Sequence, residues 1–394
     1  MNNKNILFIS ALFLLASSCS VQNPQFIKKQ EITYETGFPV IDPYGIFFNT
    51  EDKTEYFYIA DMGQHKKLLF FTLDGKKAME IPTDSITNWR TTMGITIKNL
   101  DNIIFVMFGG AGRGDDRIVV MDRNGKWQKK ITSADIPSDE NDIGYYFFTS
   151  RMDNNTFFDK DILFLSASPI NKTVGDEIYN SKNDDLFLRT IIPMEHNAHR
   201  LLKYNIKTGK SQFALSNIWR TICPDSNRYL FGLHFAVENN LLFVYPQMTG
   251  NIIYLLDAKT LEIKKTLEIT SPHVKVGLPP ATLEERIQDV YYRKIKTLGH
   301  GQLLDIMYDK YNKFYYVVFR HGVEDPLFID EASFSIQVYD KKFNKLSEQV
   351  FDGKEYDAKF CLVCSQGLLI RQSSVKKDYN PLEIKLDLFE VKNK

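Results

Sequence analysis

Tyr58-Ile59-Ala60-Asp61-Met62-Gly63-Gln64-His65-Lys66-Lys67-Leu68-Leu69-Phe70-Phe71-Thr72-Leu73-Asp74-Gly75-Lys76 carries the pattern on which the fold turns. An apolar strand ends on the Ala60-Asp61 step, a short polar loop follows, and a second apolar strand leads into Asp74-Gly75. Asp-Gly between apolar runs signals a tight hairpin, because a type I′ turn needs positive φ.

The unit recurs along the chain. Residues 103–108, the loop 109–116 and the strand 117–122 lead to the turn Arg123-Asn124-Gly125-Lys126. Residues 162–166 and 200–205 precede Lys207-Thr208-Gly209-Lys210, and 241–245 and 251–257 precede Ala258-Lys259-Thr260. A fifth copy pairs 314–319 with 334–340 before Lys341-Lys342-Phe343-Asn344. A sixth pairs 367–371 with 382–391 and has no clear turn. Aromatic and β-branched residues fill these runs, as a half-buried pleated surface favours. The fold class is therefore all-β, and repeated four-stranded units make a β-propeller, most simply of six blades. Residues 30–34 are expected to help close the ring.

Two insertions lengthen the intervals, near 171–198 and 271–300. Ordinary blades take about 42 residues, so seven or eight blades also fit the spacing. Neither insertion holds enough strands for a full extra blade. Within the second, residues 282–293 (TLEERIQDVYYR) follow Pro279-Pro280 and open with Glu284-Glu285, which predicts a short helix.

The chain has 394 residues, with 49 basic and 49 acidic. A nucleic-acid partner would want a basic excess or stripe, so that class is set aside. At the N-terminus Lys4 precedes an apolar run over 6–15 and the small residues Ala16-Ser17-Ser18. The run is shorter than the roughly 20 residues of a membrane-spanning helix and reads as a signal peptide over 1–18. Cys361 and Cys364 have C-x-x-C spacing inside an apolar strand. Residues three apart on a strand face opposite sides, and a zinc site would need a second ligand pair. Buried, unreactive thiols are expected, and no metal or cofactor is implied.

Small residues directly before Cys19 resemble the lipobox of bacterial lipoproteins. The resemblance implies acylation of Cys19, a lipid-bilayer anchor and a polar tether over 19–30, ahead of one propeller domain over 31–394. Ser20 stands where an aspartate would hold a lipoprotein at the inner membrane, so an outer-membrane anchor is implied, with the body facing the periplasm. The unit at 58–76 resembles an NHL-type repeat at Ala60, Asp61, Gly63, Gln64 and Gly75, with Gln64 for asparagine and Lys67 for arginine. As a whole the chain resembles six-bladed TolB-like propeller lipoproteins, many of them uncharacterised. That resemblance implies fold and location; function must be argued from a site.

In such a blade the loops between second and third strands rise on one face beside the channel. Here these are residues 61–67, 109–116, 167–199, 246–250, 321–333 and 372–381. They carry Asp61, His65, Arg113, His196, His199 and His321, with Arg320 and Arg371 at their edges. Loops on a rigid scaffold are where function sits, and these eight are the candidate ligand-binding residues; polar side chains also collect in loops simply because they avoid the core. As loop residues His199, Arg320 and His321 are expected to tolerate alanine without loss of folding.

The glycine run 109–114 lacks the Lys-Ser/Thr pair of a phosphate loop and opens no helix. Glu195-His196-Asn197-Ala198-His199 is not an H-E-x-x-H motif, and a metal there would need a distant carboxylate such as Asp61. No G-x-S-x-G elbow is present. Trp127 and Trp219 are either buried structural residues or exposed platforms for sugars. The leading reading is a non-catalytic binding or scaffold protein whose loops meet a protein, peptide or glycan. The alternative is a propeller enzyme, a metal-assisted hydrolase or lyase built on Asp61, His199, Arg320 and His321, which would need several ligands converging on one ion. A third reading is a structural subunit of an envelope complex. No acid repeats at the inner end of successive blades, which favours binding.

Overall fold

A computed structural model describes residues 24–39, 44–61, 66–85, 92–107, 116–136, 144–148, 157–158, 161–170, 198–215, 233–238, 240–246, 251–275 and 298–392. The first strand, β1 (Gln25–Glu35), is set apart in sequence from the sheet it joins. Blade one is β2 (Tyr44–Asn49), β3 (Thr54–Asp61), β4 (Lys67–Thr72) and β5 (Lys77–Pro82). Blade two is β6 (Thr92–Asn99), β7 (Asn102–Met107), β8 (Asp116–Met121) and β9 (Trp127–Thr132). Blade three is β10 (Gly144–Phe148), β12 (Ile162–Ile170), β13 (Leu201–Asn205) and β14 (Ser211–Ala214), with the two-residue β11 (Phe157–Phe158) added beside β12. Blade four is β15 (Leu233–Glu238), β16 (Leu241–Pro246), β17 (Ile252–Asp257) and β18 (Ile263–Glu268). Blade five is β19 (Gln302–Asp309), β20 (Phe314–Arg320), β21 (Phe334–Tyr339) and β22 (Lys345–Phe351). Blade six is β23 (Tyr356–Cys364), β24 (Gly367–Gln372) and β25 (Glu383–Lys392), completed by β1.

Six four-stranded antiparallel sheets in a ring make a six-bladed propeller, as the repeats led one to expect. The polarity of each strand follows from its place in the ring. Middle strands are covered on both faces by neighbouring blades, so they read as continuous apolar runs instead of alternating ones. Every residue of β20 is buried, Arg320 included. Outermost strands meet water and are charged: β18 is exposed or half-exposed throughout, and its lysines discourage edge pairing.

The core is divided into six apolar layers, one in each seam between adjacent blades. Tyr58, Phe70, Ile103 and Phe105 share the seam of blades one and two. Tyr316, Val318, Cys361 and Ile370 share that of blades five and six, and Phe57, Ile59, Leu369 and Tyr34 that of six and one. Successive residues of one strand thus feed opposite seams. Cys361 and Cys364 do the same, the first facing blade five and the second blade one.

The ring closes through β1, whose register with β25 runs from Gln25↔Lys392 to Glu35↔Glu383. This accounts for the missing turn in the sixth repeat: its fourth strand comes from the other end of the chain. Pairing begins at Gln25, so the latter half of the stretch read as tether belongs to the propeller. Gly75 has φ +93° in the turn after β4, and a Cβ there would meet the Thr33 carbonyl oxygen at 2.7 Å. The helix predicted over 282–293 and the glycine run 109–114 lie outside the described residues, as does most of both insertions.

Candidate functional site

Second strands end, and third strands begin, on one face of the ring. Asp61 is the last residue of β3, Arg320 the last of β20, and Arg371 lies one residue before the end of β24. They are buried, at 5%, 7% and 5% exposure. Parity decides their direction: Asp61 shares its side of β3 with Phe57 and Ile59, toward blade six, and Arg320 shares its side of β20 with Tyr316 and Val318, also toward blade six. Arg320 is therefore a strand residue packed in a seam, and alanine there would cut into packing that a loop residue would lack.

His321 falls on the other side of its strand. Its Nε2 lies 2.8 Å from Ser335 Oγ. Burial, helped by the nearby His273, holds its pKa below the ordinary histidine value, with Glu348 pulling the other way. His199, also buried, packs its ring 5.8 Å from Phe213 in blade three. Asp61, His199, Arg320 and His321 are thus divided among different blades and seams. Among the described residues no three His, Cys, Asp or Glu side chains form a group that could hold a metal ion. His65, Arg113, His196 and Trp219 lie outside the described residues, as does Cys19. Trp127 is 53% exposed on β9, an outer strand, with Lys130 over its ring at 5.3 Å.

Arg371 has a more particular environment, assembled from three strands and two blades. Its guanidinium lies 4.3 Å from the centre of the Phe360 ring. That ring stacks on Tyr44 at 4.2 Å with an interplanar angle of 11°. Tyr44 Oη donates to the Lys359 carbonyl at 2.9 Å, which fixes the bottom of the stack. Cation–π stacking orients a guanidinium without using any of its N–H groups. No hydrogen bond or ion pair ties the Arg371 guanidinium among the described residues. Burial pushes the Asp357 carboxyl above its usual range, against the pull of the Lys359 N–H, the Lys359 charge and Arg371.

Arg320 is the second unsatisfied cation. Its Nε and Nη2 are covered and have no hydrogen-bond partner among the described residues. Burial lowers its pKa to about 10, with Asp330 opposing. Asp330 belongs to the 3-10 turn Pro326–Glu331 and reaches Lys359 at 3.6 Å. That turn carries Leu327 and Phe328, exposed at 84% and 53%. The neighbouring loop of blade six carries Val375, Tyr379 and Leu382, each also exposed. Sequence reading flagged the arginines through their loop-edge positions; it missed Phe360, Tyr44 and these five apolar residues, which look like ordinary core residues until their exposure is known.

A solved crystal structure shares this architecture: a member of the DUF4221 family from Bacteroides vulgatus, with a TM-score of 0.71 and 16% identity. The match covers 95% of this chain and 100% of that one. The two share a fold. At such identity the likeness extends no further. No protein-family model matches the chain, and no curated protein matches it.

Proposed function

We propose that the chain is an exported propeller lipoprotein of the TolB-like, NHL-related kind, held in the outer membrane by an acylated Cys19. It faces the periplasm and binds a protein or peptide partner through the loops at one mouth of its channel, without catalysing a reaction. The carrying observation is the set of exposed apolar side chains on two neighbouring loops: Leu327 and Phe328 in blade five, and Val375, Tyr379 and Leu382 in blade six. Exposed apolar residues gathered on the loops of one face of a folded domain mark interaction surfaces. Three of the five, Leu327, Val375 and Leu382, are aliphatic and offer no flat face for a sugar ring, so the mixed set with Phe328 and Tyr379 fits peptide side chains better than a glycan. Fractionation of cell envelopes tests the anchor: Cys19→Ser should move the protein from the membrane to the soluble fraction. A photo-crosslinker at position 327 tests the face: it should trap a discrete envelope protein, and Phe328→Asp should remove that adduct while leaving thermal melting unchanged. A wild-type protein found wholly soluble, or a crosslinker at 327 that traps nothing, would overturn the reading.

A further inference from the structure

We propose that the cleft beside Arg371 is a subsite for a single carboxylate carried by the bound peptide or protein. The inference rests on the binding role of this face and names the chemistry it would recognise. The cleft is lined by Arg371, Gln372, Ser373, Lys376, Tyr379 and Asn380, among others. Its other charges are taken: Lys376 holds Glu355 at 2.8 Å and Lys385 reaches Asp378 at 3.4 Å. Glu383 accepts from Asn380 Nδ2 at 2.7 Å. Arg371 alone among the lining cations makes no ion pair among the described residues, although it is 5% exposed, and the only carboxyl shown to feel its charge is the buried Asp357. A guanidinium held over an aromatic ring keeps its N–H donors for a carboxylate, with less ordering left to do. With Asp378 and Glu383 in the same lining, the guanidinium suits a singly charged carboxylate and disfavours a more highly charged phosphate. Tyr379 and Val375, at 38% and 42% exposure, would then meet an apolar residue beside that carboxylate.

The test is the thermal melting of the full chain in detergent, titrated with sodium acetate, with inorganic phosphate, and with sodium chloride at matched ionic strength. Acetate should raise the melting midpoint saturably, beyond the chloride control, and phosphate should not. Arg371→Gln should abolish the acetate response. Arg371→Lys keeps the charge but loses the planar fork, so its half-saturating acetate concentration should rise at least tenfold. That variant keeps the question answerable should Arg371→Gln fail to fold. A wild-type protein indifferent to acetate, a response to phosphate as large as that to acetate, or an unchanged response in Arg371→Lys would each overturn the proposal. Crosslinking from position 327 without any acetate response would leave the docking role standing and remove this subsite alone.

Discussion

Lys28 Nζ lies 2.5 Å from Asp387 Oδ2, joining the first strand of the propeller to the last. The two ends of this bridge are unequal: the Lys28 side chain is 45% exposed and that of Asp387 only 1%. Asp387 also accepts from Tyr356 Oη at 2.8 Å and from Gln372 Nε2 at 3.0 Å, while the same Gln372 nitrogen reaches Glu31 on β1 at 2.6 Å. One buried carboxylate on β25 thus gathers donors from each of the other three strands of blade six. Asp387→Ala leaves buried donors unpaired and should lower the unfolding free energy by about 2–3 kcal/mol. Lys28→Ala removes a half-exposed partner and should cost under about 1 kcal/mol. Urea unfolding of the two variants checks the order, and equal losses would contradict it.

Arg320 yields a prediction of opposite sign. Its buried Nε and Nη2 have no hydrogen-bond partner among the described residues, so the folded state carries a desolvation that Asp330 offsets only in part. Replacing it with methionine, which fills similar volume, should stabilise the unliganded protein by about 1–3 kcal/mol. Thermal and urea unfolding measure this directly. A destabilised Arg320→Met would mean that the guanidinium supports the fold.

The thiols of β23 should be silent in the native protein. Cys361 and Cys364 are 4% and 1% exposed, and burial pushes the Cys364 thiol up to about 12. Thiolate is the reactive species. Ellman's reagent should therefore fail to label either until denaturant is added, in a Cys19→Ser, Cys223→Ser background. Rapid native labelling would refute the seam assignment.

His321 should make the native state sensitive to mild acid. Its folded pKa lies below the ordinary value, mainly through burial, so the unfolded chain binds the proton first. Stability then rises with pH through that window and falls as pH drops below about 6.5, the unperturbed histidine pKa. His321→Gln should lose less stability than the wild type between pH 7.5 and pH 5. Parallel stability curves for the two would remove His321 from the linkage.

The sequence made the blades legible because their signals are local. Asp74-Gly75 announces a turn that only positive φ satisfies, and runs such as 314–319 announce strands covered on both sides. Strand parity alone separated Cys361 from Cys364. The Arg371–Phe360–Tyr44 stack was illegible because β24, β23 and β2 meet only once the ring has closed. Leu327 and Phe328 look like core residues, and only the fold reveals that the 3-10 turn holds them outward. Asp61, His199, Arg320 and His321 share a face by topology, yet strand parity and blade number send them into different seams.

Photo-crosslinking in intact cells, with benzoylphenylalanine at positions 327 and 379 and, as controls, at Phe48 and Trp127, is the most direct check on the proposed binding face. Phe48 and Trp127 are also exposed, at 42% and 53%, but lie on strands away from the two loops. Adducts to one discrete partner from 327 and 379, and none from 48 and 127, are the expected result. Adducts from the control positions alone would place the partner elsewhere on the propeller and contradict the assignment of this face.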